Sequence, residues 1–236
     1  MRHILNLALL DFKIIFRTPL LKSFLLLPII LFVLIIWFLP SLLETYPNLK
    51  PYLNIFMIVG VIENTQMFCF INGMVLLEER ESGISMAYGT LPLKTFDFVA
   101  SRFLLPYLIT VGLNLTLLMV QPLLSIQVTD ALLIATLSGM VVPIYAMTIA
   151  SLAKNRMQGM VYVKVLNLLV LVPILAFFIP DTFRNIFAMV PTHWLFSAID
   201  NMVDGKSILF PSSIGFAHFG ILTLWVSLVF KRRYVQ

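Results

Sequence analysis

Residues 23–40 read Ser23-Phe24-Leu25-Leu26-Leu27-Pro28-Ile29-Ile30-Leu31-Phe32-Val33-Leu34-Ile35-Ile36-Trp37-Phe38-Leu39-Pro40, without a single charge. A hydrocarbon core about 30 Å thick is crossed by roughly 20 apolar residues of helix. This stretch therefore decides the fold class: it reads as a helix that crosses a membrane. Pro28 does not argue against it, because neighbouring helices re-satisfy the carbonyls that a proline frees. Nor does the stretch read as a cleaved leader. Some twenty mixed residues precede it, and Pro40-Ser41-Leu42-Leu43-Glu44 lacks the small-residue site of a signal peptide.

Five further runs of the same kind lie near 52–77, 96–122, 131–153, 159–180 and 211–230, some only with their polar ends included. Pro106, Pro122, Pro143 and Pro173 fall in or at the ends of these runs. The composition agrees: of 236 residues, 60% are apolar and 11% charged, with a mean hydropathy of +0.99. A soluble domain is about 45–50% apolar and about 25% charged. These values exclude a cytosolic enzyme and a disordered tail. The expected fold is an all-α integral membrane protein of six transmembrane helices, with residues 1–236 forming a single membrane domain without internal repeats or long linkers.

The net charge of +5 is no nucleic-acid signature, because the basic residues are scattered between apolar runs; no nucleic-acid partner is expected. Their placement gives topology instead. Arg2, Lys13, Arg17 and Lys22 precede the first span; Arg80, Lys94 and Arg102 surround the second-to-third connection; Lys154, Arg156 and Lys164 flank the fourth-to-fifth; Lys231, Arg232 and Arg233 close the chain. Only Lys50, Arg184 and Lys206 remain for the other side. Both termini are therefore expected in the cytoplasm. The one cysteine, Cys69, excludes an intrachain disulfide and a multi-cysteine metal site.

Three segments do not span. Residues 4–21 place Leu5, Ala8, Leu9, Phe12, Ile15 and Phe16 at helical spacing among Asp11, Lys13 and Arg17, as in a helix lying in the headgroup plane; a basic leader is the alternative. Residues 78–94 form a connection longer than a turn needs. It opens on Glu78-Glu79-Arg80-Glu81, turns at Gly83, continues through Ile84, Met86, Ala87 and Tyr88, and re-enters at Pro92. Charges at one end and apolar residues in the middle suit docking of a cytosolic partner; a solvated loop at the lipid surface is the plain alternative. Residues 181–206 are too polar to span and too apolar to float free. Asp181 suits an N-cap, Pro191 starts a second short helix, and Trp194, Leu195, Ala198, Ile199 and Met202 share a face that ends at Asp204-Gly205. Two short helices re-entering the outer half of the bilayer, shielded by the bundle, are expected.

On these features the chain resembles the permease subunits of type-2 ABC exporters, which include drug, polysaccharide and lantibiotic-immunity exporters. Glu79-Arg80-Glu81-Ser82-Gly83, Pro92 and Arg102 fall on that family's first cytoplasmic loop, and Val190-Pro191-Thr192-His193-Trp194 through Asp204-Gly205 is similar to its segment before the last span. Departures are Ile84, where threonine is frequent, and Ser101-Arg102, where glycine-lysine is frequent. The size is most like small bacterial drug-efflux or lantibiotic-immunity permeases, some of them associated with fluoroquinolone efflux. The resemblance implies an amphipathic elbow helix over 4–21 and a coupling helix around Gly83, Met86 and Tyr88, with Glu78, Glu79, Arg80 and Glu81 holding a docking contact. It further implies a bacterial plasma (inner) membrane location. Six spans would form half of a translocation pathway, so a second permease copy or homologous permease is implied, together with a dimer of P-loop ATPase subunits. No G-x-x-x-x-G-K-[ST] occurs in this chain; ATP and Mg would be bound by that partner.

Glu63 is the one acid well inside a span. A charge there costs on the order of 3 kcal/mol by insertion scales and is a functional candidate by default. Tyr52, Phe56, Glu63, Gln66, Phe70 and Gly73 share one helical face, expected to line either the substrate path or a permease–permease interface; a structural pairing of Glu63 is the alternative. Asn114 and Thr116 suit helix–helix hydrogen bonds, and Lys164 suits snorkelling to the surface. His3, His193 and His218 are far apart with no carboxylate at ligand spacing, so no metal and no catalytic residues are expected, and the chain is not expected to be an enzyme. A drug-like, lipid or peptide amphiphile is the expected substrate. The competing reading is an ATP-independent secondary transporter or channel that uses Glu63.

Overall fold

The computed structural model describes residues 19–84 and 95–234, all built from helices and turns, with no strand among them. The elbow segment below residue 19 lies outside the described residues, as do Met86, Tyr88 and Pro92.

Among the described residues, six helices are long and apolar enough to cross a membrane. The first, α1, runs Leu21–Thr45. Its hydrogen-bond register widens to a π-type turn over Leu34–Phe38, just before Pro40. A short 3₁₀ turn, Pro47–Tyr52, leads into α2, Leu53–Glu81. The third helix, α3, is Thr95–Val120 with Pro106 inside it; the Thr110 hydroxyl donates to the Pro106 carbonyl at 2.9 Å. α4 covers Val128–Leu152 and changes direction at Met140, between the segments Val128–Gly139 and Val141–Leu152. α5, Arg156–Phe178, tightens to 3₁₀ over Val172–Phe178, where Pro173 removes a donor. After the turns Asp181–Arg184 and Asn185–Met189 come α6, Pro191–Val203, and α7, Leu209–Tyr234. The expected spans agree with these to within a few residues.

Two boundaries differ instructively. α2 continues to Glu81, so the charged cluster expected to open a loop is the last turn of a helix. Gly83 then reverses the chain at φ +75°, the left-handed conformation that only glycine adopts freely. α5 starts at Arg156 rather than 159, because Asn155 caps it: its side chain accepts from the Gln158 amide at 2.9 Å, and the Gln158 side chain accepts from the Lys154 amide at 3.0 Å. Such reciprocal pairing satisfies orphan donors at a helix start.

α2 is the axis of the bundle. It packs against α1, α3, α4, α5 and α6, while α7 covers α4 and α6. In its most apolar window 72% of the residues are buried, against 17% for α1 and α5 and 22% for α7. Met57, Ile58, Val61 and Ile62 of α2 meet Ile134 and Leu137 of α4 in one continuous core. Outward stand Ile29, Trp37, Leu168, Leu224 and Trp225, all well exposed, as side chains facing lipid must be. Between helices in lipid the attraction is close packing rather than expulsion of water, so small residues sit at crossings. Gly159 lies directly against Leu77, and Gly60 against Ile35, where a Cβ would collide.

α6 folds back into the bundle beside α2, α4 and α7. Leu195, Phe196, Ala198 and Ile199 are fully buried, which matches the face expected from their spacing and adds Phe196. Gly205, at φ +68°, ends the segment.

Candidate functional site

Along α2 the incompletely buried positions between Leu53 and Leu77 do not scatter. From Phe56 inward they are Phe56, Val59, Glu63 and Phe70, one stripe at steps of three, four and seven residues. Phe56, Glu63 and Phe70 of the expected polar–aromatic face are thus half-buried along one side of the central helix. Gln66 and Gly73 lie on it but are covered. The Gln66 amide donates to the Asn167 carbonyl of α5 at 3.4 Å. Phe24 of α1 stacks near Phe70, rings 4.4 Å apart, and Tyr52 stacks on Phe178 of α5 at 6.4 Å. The result is a furrow with α2 as its floor and α1 and α5 as its walls. A cavity of about 210 Å³ opens from it between α1 and α2, lined by Leu31, Ile35, Phe38, Phe56, Val59 and others. Among the described residues no cation pairs with Glu63. At about 1.5 Å per residue, Glu63 lies roughly 24 Å along the axis from Glu79, well within the apolar length of the bundle.

Behind the furrow is a polar cluster that the sequence reading did not assemble. Asn64, Thr65, Asn114 and Ser138 are all fully buried. Asn64 Nδ2 donates to Asn114 Oδ1 at 2.8 Å, and Asn114 Nδ2 donates to Thr65 Oγ1 at 2.9 Å and Ser138 Oγ at 2.8 Å. Three helices are joined by one side chain, as the expected role of Asn114 requires. A second tie runs from the Tyr145 hydroxyl of α4 to the Val163 carbonyl at 2.9 Å and to Asn167 Oδ1. The run Glu63-Asn64-Thr65-Gln66 was the available signal: four polar residues in an apolar span point in all directions around the helix.

At the charged end of the bundle, Glu78, Glu79, Arg80 and Glu81 each reach a neighbouring helix, Glu78 and Glu81 sharing Arg156. Glu79 Oε1 accepts from Arg102 Nη1 of α3 at 2.8 Å, with side chains 3% and 1% exposed. Arg80 Nη1 donates to the Ala150 and Ala153 carbonyls at the end of α4, at 3.0 and 2.9 Å, and its Nη2 to the Arg233 carbonyl of α7 at 3.3 Å. Glu81 accepts from the Arg156 amide and from Arg156 Nε of α5, both at 2.7 Å; Glu78 adds a contact to Arg156 Nη1 at 3.4 Å. The last turn of α2 thus clasps α3, α4, α5 and α7 together. Arg102 and Glu79, both on the family pattern, are partners of one another. Only Glu78 and Glu81 keep about a third of their side chains exposed.

At the far end, Pro191 occupies the first turn of α6. The Trp194 Nε1 donates to the Ala188 carbonyl at 3.0 Å, Thr192 donates to the Val170 carbonyl of α5 at 2.8 Å, and Asn54 of α2 donates to Asp200 at 2.6 Å. The His193 ring stands edge-on to Trp194 at 5.5 Å. Burial pushes its imidazole below the ordinary value, and the charge of Arg184 adds to this. These contacts anchor the segment rather than build a reaction centre. No group of three or more potential metal ligands occurs among the described residues.

Six apolar helices long enough to span, among the described residues, are the architecture of a multi-pass membrane protein. Residues 11–228 match the family described as fluoroquinolones export permease protein Rv2686c-like, and the chain belongs to that family. No curated protein and no solved structure matches it.

Proposed function

We propose that this chain is the membrane subunit of an ATP-driven exporter, contributing half of a translocation path whose wall is the furrow on α2. The observation that carries the reading is the stripe Phe56–Val59–Glu63–Phe70, left open on a helix otherwise enclosed by its neighbours. A merely lipid-facing stripe has no use for a carboxylate, which lipid penalises; a path for amphiphiles does. The family name supports a drug-like substrate. Energy would come from a separate P-loop ATPase dimer that binds ATP and Mg, since the sequence has no phosphate-binding loop. A second permease would complete the path. With both termini in the cytoplasm of a bacterial inner membrane, the Glu78–Glu81 clasp lies at the cytoplasmic face. ATPase motion delivered to the 78–94 connection would reach four other helices through it at once. The part-exposed side chains of Glu78 and Glu81 are the docking candidates on this segment.

Substituted-cysteine labelling tests the path. In a Cys69→Ala background, single cysteines at Phe56, Val59 and Glu63 should react with a charged, membrane-impermeant thiol reagent, while Ile58 and Ile62 replacements should not. Equal inertness of all five positions would place the stripe against lipid or a dry interface and overturn the reading.

A further inference from the structure

We propose that Glu63 and the cavity beside it form a recognition site for an amphiphile carrying both an aromatic ring and a protonated amine. The proposal rests on the reading of the furrow as a translocation path and names what that path selects.

Three observations converge on it. The cavity between α1 and α2 holds about 210 Å³ and is lined by Ile35, Phe38, Phe56 and Val59, without a polar side chain. A dry apolar cavity of about 150 Å³ accepts a benzene ring, so this one has room for a substituted ring. Its α1 wall includes the π-type turn Leu34–Phe38, and Gly60 in its floor admits Ile35 at the close crossing. π-type turns inside helices recur at functional sites.

Second, Glu63 is one helical turn inward from Val59, about 6 Å along the axis. It is half-buried and has no cation for a partner among the described residues. Charges this deep are held with a counter-charge or used on one that passes. Lys164, a basic side chain on the α5 wall, is exposed a turn beyond Asn167 towards the charged end, whereas Glu63 is a turn beyond Gln66 in the opposite sense.

Third, the remaining floor is aromatic. Phe56 and Phe70 stand two turns to either side of Glu63, and the ring faces of phenylalanine attract cations as well as stacking on rings. A neutral lipid chain would use the cavity but leave the carboxylate bare. An anion would be repelled. A ring with an amine about 6–10 Å from it satisfies both halves of the site, and the chemistry selects that class over the others.

The test uses the assembled transporter, extracted from its membranes and placed in lipid nanodiscs, with two probes, both taken as methyl esters so that neither carries a carboxylate: ciprofloxacin methyl ester, whose piperazine amine is protonated at neutral pH, and its N-acetyl derivative, in which that nitrogen is an uncharged amide. The wild type should bind the amine about tenfold more tightly than the amide, and Glu63→Gln should abolish that preference while leaving amide binding unchanged. A preference that survives Glu63→Gln, or a wild type without one, overturns the proposal. Val59→Trp fills the cavity without touching the carboxylate and should weaken both probes. If it does so while Glu63→Gln leaves the preference intact, the path reading stands and amine recognition falls. If it alters neither probe's binding, both fall. Efficient copy-to-copy disulfide formation by Glu63→Cys in the Cys69→Ala background would show the face covered by a second chain and also overturns the proposal.

Discussion

Distance alone misleads about the charged residues. The Glu81–Arg156 contact, at 2.7 Å, is shorter than Glu79–Arg102 at 2.8 Å, yet the first pair is 31–44% exposed and the second 1–3%. Exposed pairs contribute about 0–1 kcal/mol, whereas removing one partner of a buried pair costs about 3–5 kcal/mol because a bare charge is left behind. Arg156→Ala should therefore barely lower the melting temperature in detergent. Glu79→Ala should lower it steeply, and the exchange Glu79→Arg with Arg102→Glu should recover part of the loss. Equal effects of the two alanine variants would contradict this ranking. Asn114 is the second sensitive position. Hydrogen bonds between membrane helices average about 0.6 kcal/mol each, so Asn114→Leu, which removes three, should cost about 2 kcal/mol in a reversible unfolding measurement. His193 responds to acid: its lowered value in the folded chain means its share of stability is complete above about pH 6.5 and is lost as pH falls through the lowered value. The melting temperature should fall as the pH drops below about 6.5, and less so in His193→Gln.

At the scale of the element, the helices were legible because lipid demands a run of about 20 apolar residues, and no other structure writes that run into a sequence. The stripe on α2 was legible for a related reason: a 3.6-residue period is intrinsic to the helix, so Phe56, Glu63 and Phe70 had to share a face. What covers that face was not. The end of α2 was missed because Glu78–Glu81 is held helical by Arg102, Arg156 and the carbonyls of Ala150, Ala153 and Arg233, partners at least 23 residues away in the chain. The Asn64–Thr65–Asn114–Ser138 cluster was hidden likewise, since its hydrogen-bonded pairs are 24 to 50 residues apart. Gly83 was legible as a change of direction, and its φ of +75° gives a prediction. Gly83→Ala forces a left-handed conformation at about 1–2 kcal/mol, paid locally where the chain leaves the clasp. Drug-stimulated ATP hydrolysis should fall while assembly with the ATPase persists; unchanged stimulation would show that this turn carries no coupling.

For the whole molecule, the contrast between a 72%-buried α2 and the sparsely covered α1, α5 and α7 describes a bundle with its rigid axis inside and its apolar flanks outside. Its charged clasp lies at one end, its α6 anchor at the other, and the open furrow between them. On the proposed reading, this body supplies a path wall and a lever. The central claim is that the motor is a separate P-loop ATPase, and co-purification tests it most directly. The tagged chain is extracted from its native membranes in mild detergent and its companions are identified by mass spectrometry. A P-loop ATPase at about one copy per permease, with a second permease identical or homologous to this chain, is the predicted result. A chain that emerges as a monomer or homodimer with no ATPase would contradict the account.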